Sequence, residues 1–555
     1  MQMGWMVGAP TLLLAGCVGP FDLDDFMEFV PPEALVREID SLGLEDRSRT
    51  DPVTIDEATR RIAEETVDTL LREKFARDAA LPSMDLMLEE VRAQTLRTNL
   101  DLQVELISPS ISATSVDEEE AKFEATFTAS FARSRTDTAT ALTTESSKQT
   151  FTRYDAGVQI PLRTGGTATV SFPISENDSD NAFSTLNPAY NTDVRFSLSQ
   201  PLLRNAGNRV NTYSIRVAKY EDEMTRARTK LEAIRILANA DRAYWRLYAA
   251  QRELEVRQQQ YELAVAQRER AQRRFDAGDV PEIEVVRAES GIAQRLEGII
   301  VADNLVRRTR RDLKRIMNRE DLPMGSATRF VLATAPDPVG LDLDAESLIE
   351  YALANRMEML ELELQLALDA SSIDFARNQK LPLVTLDYAY NVNGLGRTYN
   401  EALGQIADRS FEDWSVGLSA DIPIGNEAAK AQYHAAILQR IQRLATRDRR
   451  VSAIQQEVYD AIDQIQQNWQ RILAARQDVI LAGRTLDGEQ RQFDVGARTS
   501  TDVLDAATNL ADAQSSEILA LTDYQISQID LAFATGTLLG YGKVRWDPVE
   551  YEGGD

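Results

Sequence analysis

Asp502 and Asp505 stand three residues apart in the stretch Thr499-Ser500-Thr501-Asp502-Val503-Leu504-Asp505, a spacing that puts both carboxylates on one face of a helix. Two acids held side by side can do acid/base work, as in a glycoside hydrolase. The plainer reading is a capping box at a helix start, Thr499 with Asp502, and a solvated Asp505. Nothing Gly-rich, aromatic or nucleophilic gathers near the pair, which argues against a hydrolase.

The rest of the chain is poor in reactive groups. It has one histidine, His434, and one cysteine, Cys17, so an intrachain disulfide, a Cys/His zinc cluster and a CxxC redox pair are ruled out. A Ser-His-Asp arrangement would have to use His434 in Gln432-Tyr433-His434-Ala435-Ala436, where helical periodicity favours a surface position. No catalytic residue, metal or cofactor is expected, and the chain is not read as an enzyme. The 555 residues are 43% hydrophobic, and 61 Lys+Arg against 88 Asp+Glu give a net charge of −27. That field repels nucleic acid, so no nucleic-acid partner is expected.

Cys17 ends the run Leu12-Leu13-Leu14-Ala15-Gly16-Cys17, which resembles the lipobox of a bacterial lipoprotein signal. The resemblance implies that residues 1–16 are a signal peptide and that Cys17 becomes the lipidated N-terminus of an exported chain. No later stretch approaches the ~20 apolar residues of a spanning helix, so any crossing has to use strands.

Residues 21–120 hold 26 Asp+Glu against 10 Lys+Arg, and helices are expected over 55–75 and 84–107. Six later segments alternate with period 2, as strands with two unlike faces do: Phe123 to Arg133, Tyr154 to Leu162, Ala168 to Ile174, Val194 to Leu198, Val384 to Val392 and Trp414 to Ile422. Such strands fit a soluble sandwich as well as a membrane barrel. Between them, 134–150, 176–192 and 394–410 read as long polar loops. Pro161 and Pro173 speak against a closed barrel, which has no edge where a missing donor is harmless.

Arg209 to Asp276 and Glu427 to Asp494 are helix-favouring and have no internal proline. In the second, Val458, Ile465, Ile472, Val479, Leu486 and Phe493 recur every seventh residue, the signature of left-handed coiled packing. Subtracting 218 from these positions lands mostly on the same register in the first rod. Each rod ends in a matching turn, Phe275-Asp276-Ala277-Gly278 and Phe493-Asp494-Val495-Gly496, with Gly278 and Gly496 suited to a left-handed helix close. The chain is an internal repeat of strands, a long helix out to a tip and a helix back.

Residues 493–510, 274–285, and Tyr351 to Glu358 with Gln379 to Leu386 resemble the TolC-type outer membrane factor family over roughly residues 84–540. The resemblance implies a mostly α fold with transmembrane β: an outer-membrane β-barrel continuous with a long periplasmic α-helical coiled-coil barrel, assembled as a trimer. On this pattern 17–83 is an acidic N-terminal extension. The first repeat runs over 84–340, with strands 123–200 and helical hairpin 209–318. The second runs over 341–540, with helix 346–378, strands 383–422 and hairpin 427–538, and 541–555 is an acidic tail.

The resemblance also implies roles at the tip. Asp502 and Asp505 match the acidic ring that constricts the entrance, threefold symmetry bringing six carboxylates around one axis. Arg498 matches the arginine that holds the entrance closed, and Glu284 falls at its acidic partner, so the two are expected to pair. Phe493 stands where well-studied members have a tyrosine. The function implied is a passive exit duct of an efflux pump or type I secretion system, anchored in the outer membrane. Its implied partners are a periplasmic membrane-fusion adaptor, an inner-membrane pump of RND or ABC type, and outer membrane lipid. A fusion adaptor or a structural coiled-coil lipoprotein is the alternative, although adaptors have one hairpin and a rod needs no amphipathic strands. The count of six strands departs from the family's usual four per protomer, and three copies would close a barrel of roughly 18 strands.

Overall fold

The computed structural model describes residues 80–140, 145–181 and 183–546. The expected signal segment 1–16, Cys17, helix 55–75 and the end of the acidic tail lie outside the described residues. In chain order the elements are β1 (Ser83–Leu86), α1 (Leu88–Thr98), α2 (Leu100–Ala121), β2 (Thr126–Asp137), β3 (Lys148–Pro161), β4 (Thr167–Ser179), β5 (Ala189–Pro201), α3 (Asn208–Asn211), α4 (Tyr213–Asp276), α5 (Ile283–Met317), β6 (Arg329–Leu332), α6 (Ala345–Asn355), α7 (Met357–Gln379), β7 (Leu383–Gly396), α8 (Tyr399–Ala407), β8 (Glu412–Asp421), α9 (Glu427–Asp494), α10 (Ser500–Ala534) and α11 (Leu538–Tyr541).

All six alternating segments are strands of one antiparallel sheet, in the order β2-β3-β4-β5-β7-β8. A single row of partners runs Phe127, Val158, Val170, Phe196, Tyr390, Trp414 across the sheet. The neighbouring row runs Thr128, Gly157, Ser171, Arg195, Asn391, Asp413. Alternation thus gives one apolar and one polar face over six strands. On the apolar face Phe127, Phe131 and Trp414 are 68%, 63% and 70% exposed.

The two prolines are accommodated locally. Pro161 is the last residue of β3. Pro173 lies inside β4, where the ladder to β5 omits Phe172 and Pro173 and resumes at Ile174 opposite Thr192; lacking an N–H, proline breaks the ladder only at its own position. The loops are shorter than expected, because β2 and β3 pair as far as Asp137 opposite Lys148. Where 394–410 reads as a plain loop, the chain forms α8, whose Thr398 cap accepts from the Glu401 N–H at 3.3 Å.

Two expected helices are each broken in two, and both breaks receive the end of a hairpin helix. The single helix expected over 84–107 is β1, α1 and α2, and α2 continues through Pro109 to Ala121. At the α1–α2 break Asn99 accepts from the Leu102 N–H at 2.9 Å and donates to the Ile316 carbonyl at 2.8 Å. Asn318 donates back to the Thr98 carbonyl at 3.0 Å. The expected helix 346–378 breaks at Arg356, which lies 3.5 Å from the Ala534 carbonyl at the end of α10 and pairs with Glu358 at 2.7 Å and with Glu457. Side chains at each break thus satisfy carbonyls that a helix end leaves unpaired.

One core joins Leu86, Val91, Leu237, Leu247, Leu313 and Phe330 around Tyr244. Inside it Arg92 grips Asp241 through Nε at 2.9 Å and Nη2 at 2.8 Å. A second core takes the heptad residues Val458, Ile465 and Ile472 with Tyr524. The parallel pair β1–β6, Ser83 opposite Arg329 to Leu86 opposite Leu332, is too short to show as a period in sequence. Among the described residues no helix is long and apolar enough to cross a membrane.

Candidate functional site

The candidate site is the pair of hairpin tips, and their turns are built alike. Gly278 (φ 80°) donates to the Phe275 carbonyl and Asp279 to that of Arg274. Gly496 (φ 79°) donates to the Phe493 carbonyl and Ala497 to that of Gln492. These are corresponding bonds in the two repeats. The positive φ at each close is strained for a residue with a Cβ. Beneath the second turn Phe493, 1% exposed, packs with Leu486, Val503, Ala506 and Ala507.

Within one copy Arg498 and Glu284 do not pair with each other. Arg498 turns to its own hairpin, 3.1 Å from Glu489 and donating to Gln492 at 3.0 Å. Glu284 is buried, accepts the Ser500 N–H at 2.8 Å and pairs with Arg287 at 2.5 Å. The first hairpin is therefore tied to the second through a carboxylate on the N-terminus of α10, where unpaired N–H groups and the helix dipole favour negative charge.

Asp502 closes a capping box: it accepts from the Thr499 N–H and hydroxyl, both at 2.8 Å, while its own N–H reaches the Thr499 hydroxyl at 3.4 Å. These two bonds, led by that from the backbone, hold its carboxyl below the ordinary carboxylate range. A carboxylate held in this way is a poor proton carrier. Asp505, one turn on, is exposed. The structure brings the two acids to one helix face, as their spacing requires, with the cap as the function it shows for Asp502.

Two ties escaped sequence reasoning. Arg295 on α5 is buried and donates to the Leu504 carbonyl and the Thr508 hydroxyl of α10, both at 2.8 Å; burial pushes its guanidinium pKa down and Asp505 opposes that shift. Arg274 donates to the Phe493 carbonyl with its guanidinium carbon 5.0 Å from the centre of the Phe493 ring. Arg274 directly precedes the turn motif, which was the available signal; Arg295 had none. Among the described residues no group of three or more His, Cys, Asp or Glu could hold a metal ion.

Two repeated hairpins ending in tied tips thus rise from one amphipathic six-stranded sheet. Residues 348–537, within the second repeat, match the model of the outer membrane efflux protein family. It is 26% identical over 315 residues to outer membrane protein TolC of Vibrio cholerae, covering 55% of this chain and 68% of that protein. To TolC of Escherichia coli K12 it is 25% identical, and the match spans 62% of that relative's length. In fold it is similar to the CmeC outer membrane channel of Campylobacter jejuni, with a TM-score of 0.60, 15% identity, and coverage of 81% of this chain and 86% of that one.

Proposed function

We propose that three copies of the chain form an outer-membrane exit duct, with the sheets closing a barrel and the hairpins a periplasmic tube gated at its tips. The six-stranded sheet carries this reading. Its apolar face leaves Phe127, Tyr154, Phe172, Phe196, Leu386 and Trp414 exposed, one on each successive strand, a contiguous surface that water disfavours and hydrocarbon accepts. Its polar face would line the passage. Helices α2 and α7 enter and the long helices α4 and α9 leave at one end of that sheet, the latter two through Pro201-Leu202-Leu203 and Ile422-Pro423-Ile424.

In this reading the duct is passive. Substrate enters at the tips once a periplasmic adaptor, coupled to an inner-membrane pump, has parted the hairpins. Asp502 and Asp505 from three copies ring the entrance with negative charge, and Glu284 is the principal latch. Cys17, lipidated, anchors each copy in the outer membrane. The test is electrophoresis of outer-membrane extracts: a trimer band before boiling that collapses to the monomer on heating supports the duct, and a protein found only as a soluble monomer refutes it.

A further inference from the structure

The registers of the sheet fix how neighbouring copies would meet. Stepping straight across the ladders from Thr126, the first residue of β2, leads through Gln159, Thr169, Ser197 and Ala389 to Ser415. The helix-side end of β8 is Asp421, six residues further down. At the other end the stagger is eight, since Asp137 lies eleven residues above Thr126 and Glu412 only three above Ser415. Each copy thus displaces the sheet by six to eight residues, and β2 and β8, both exposed along their whole length, are left as unpaired antiparallel edges.

Two conditions select one register. Apolar residues are odd-numbered on β2 (Phe127, Phe131) and even-numbered on β8 (Trp414, Val416, Leu418), so a shift of seven would put one strand's apolar face in the polar lumen. A shift of eight sets Glu412 opposite Asp137, like charges that repel. A shift of six sets Glu412 opposite Arg135, Trp414 opposite Arg133, Val416 opposite Phe131 and Ala420 opposite Phe127, and pairs β8 along its full length.

We propose that β8 of each copy pairs with β2 of a second copy in this register, completing the barrel. The proposal rests on the trimeric duct reading and adds its seam. A shift of six per copy, repeated three times around about 18 strands, tilts them by about 35° at ~3.3 Å rise and ~4.8 Å spacing, within the range of closed membrane barrels. The backbone diameter is then roughly 33 Å. A mouth that wide cannot sort small solutes, which leaves selection to the hairpin tips.

The test is disulfide trapping. Ser130→Cys with Gly417→Cys joins positions facing the lumen, and Phe131→Cys with Val416→Cys joins positions facing lipid. Ala132→Cys with Gly417→Cys reports a shift of eight. Under mild oxidation of membranes, either of the first two pairs is expected to give reductant-sensitive covalent dimers and trimers, and each single cysteine none. Trapping by the third pair alone overturns the register while leaving the duct intact. A heat-modifiable trimer that no pair traps overturns the seam, and a chain that is never trimeric overturns the seam and the duct together.

Discussion

Glu284 and Asp502 occupy the same position in the two repeats, 218 residues apart, and their carboxylates turn in different directions. Asp502 folds back onto Thr499, whereas Glu284 reaches across to Ser500. The residue corresponding to Thr499 is Pro281, which has neither an N–H nor a hydroxyl to close a capping box. A proline at one tip thus frees the carboxylate that ties the two hairpins together.

Pro281→Ser restores both missing groups, so Glu284 is expected to cap its own helix and release Ser500. Helix α5 gains about 1 kcal/mol of capping, while the tie between hairpins weakens. Purified protein in planar bilayers should show higher conductance with no loss of thermal stability; unchanged conductance would disconnect Glu284 from the gate.

Glu284→Ala should open the tip more than Arg498→Ala. The first removes a buried acceptor from a helix N-terminus, an interaction worth about 0.3 to 2 kcal/mol per copy. The second breaks an exposed pair with Glu489 worth about 0 to 1 kcal/mol. The ranking is read from the two single-variant conductances, and the reverse order would restore the expected Arg498–Glu284 latch.

The Asp502 carboxyl titrates below its ordinary value of 3.8. A depressed folded pKa means that the cap contributes stability above the unfolded value and loses it as pH falls through the lower folded value. The turn at 494–502 should therefore stay protected from hydrogen exchange at pH 5 and open only in strong acid. In Thr499→Ala, which removes the hydroxyl donor, opening should begin at higher pH. Asp505→Ala, with no cap to lose, should reduce cation preference in bilayers without touching this protection.

Asp241→Ala leaves the Arg92 guanidinium buried without its anion, at a cost of about 3 to 5 kcal/mol. Thermal unfolding should fall steeply, whereas Arg92→Met with Asp241→Leu should recover much of the loss. A small effect of the single change would show that water reaches Arg92.

Gly394→Ala would place a Cβ 2.1 Å from the backbone carbonyl oxygen of Ala402, so α8 has to lift from β7. Proteolysis between 397 and 411 should become faster while the tip conductance is unchanged.

The rods, turns and strands were legible because each repeats a short-range period: seven in Val458 to Phe493, two in Phe127 to Phe131. The breaks at Asn99 and Arg356 were not, because they are decided by carbonyls of Ile316 and Ala534 more than 170 residues away. Helix α8 did leave a trace in Thr398-Tyr399-Asn400-Glu401, a capping box pattern obscured by Gly404 and a polar setting. The Arg498–Glu284 pair was expected from likeness to other chains, and comparing Pro281 with Thr499 within this one would have redirected it.

Each hairpin couples an unbroken beam to a jointed one. Helices α4 and α9 run on for 64 and 68 residues, while α5 and α10 stop at side-chain joints built from Thr98, Asn99 and Asn318 in one repeat and Arg356 in the other. At its far end each returning helix meets the preceding helices through a few side-chain hydrogen bonds and not through a continued helical backbone. In the duct proposed above, these joints would serve as compliant bearings, taking up the twist of an opening stroke so that the entrance could iris apart while the sheet at the other end stays still.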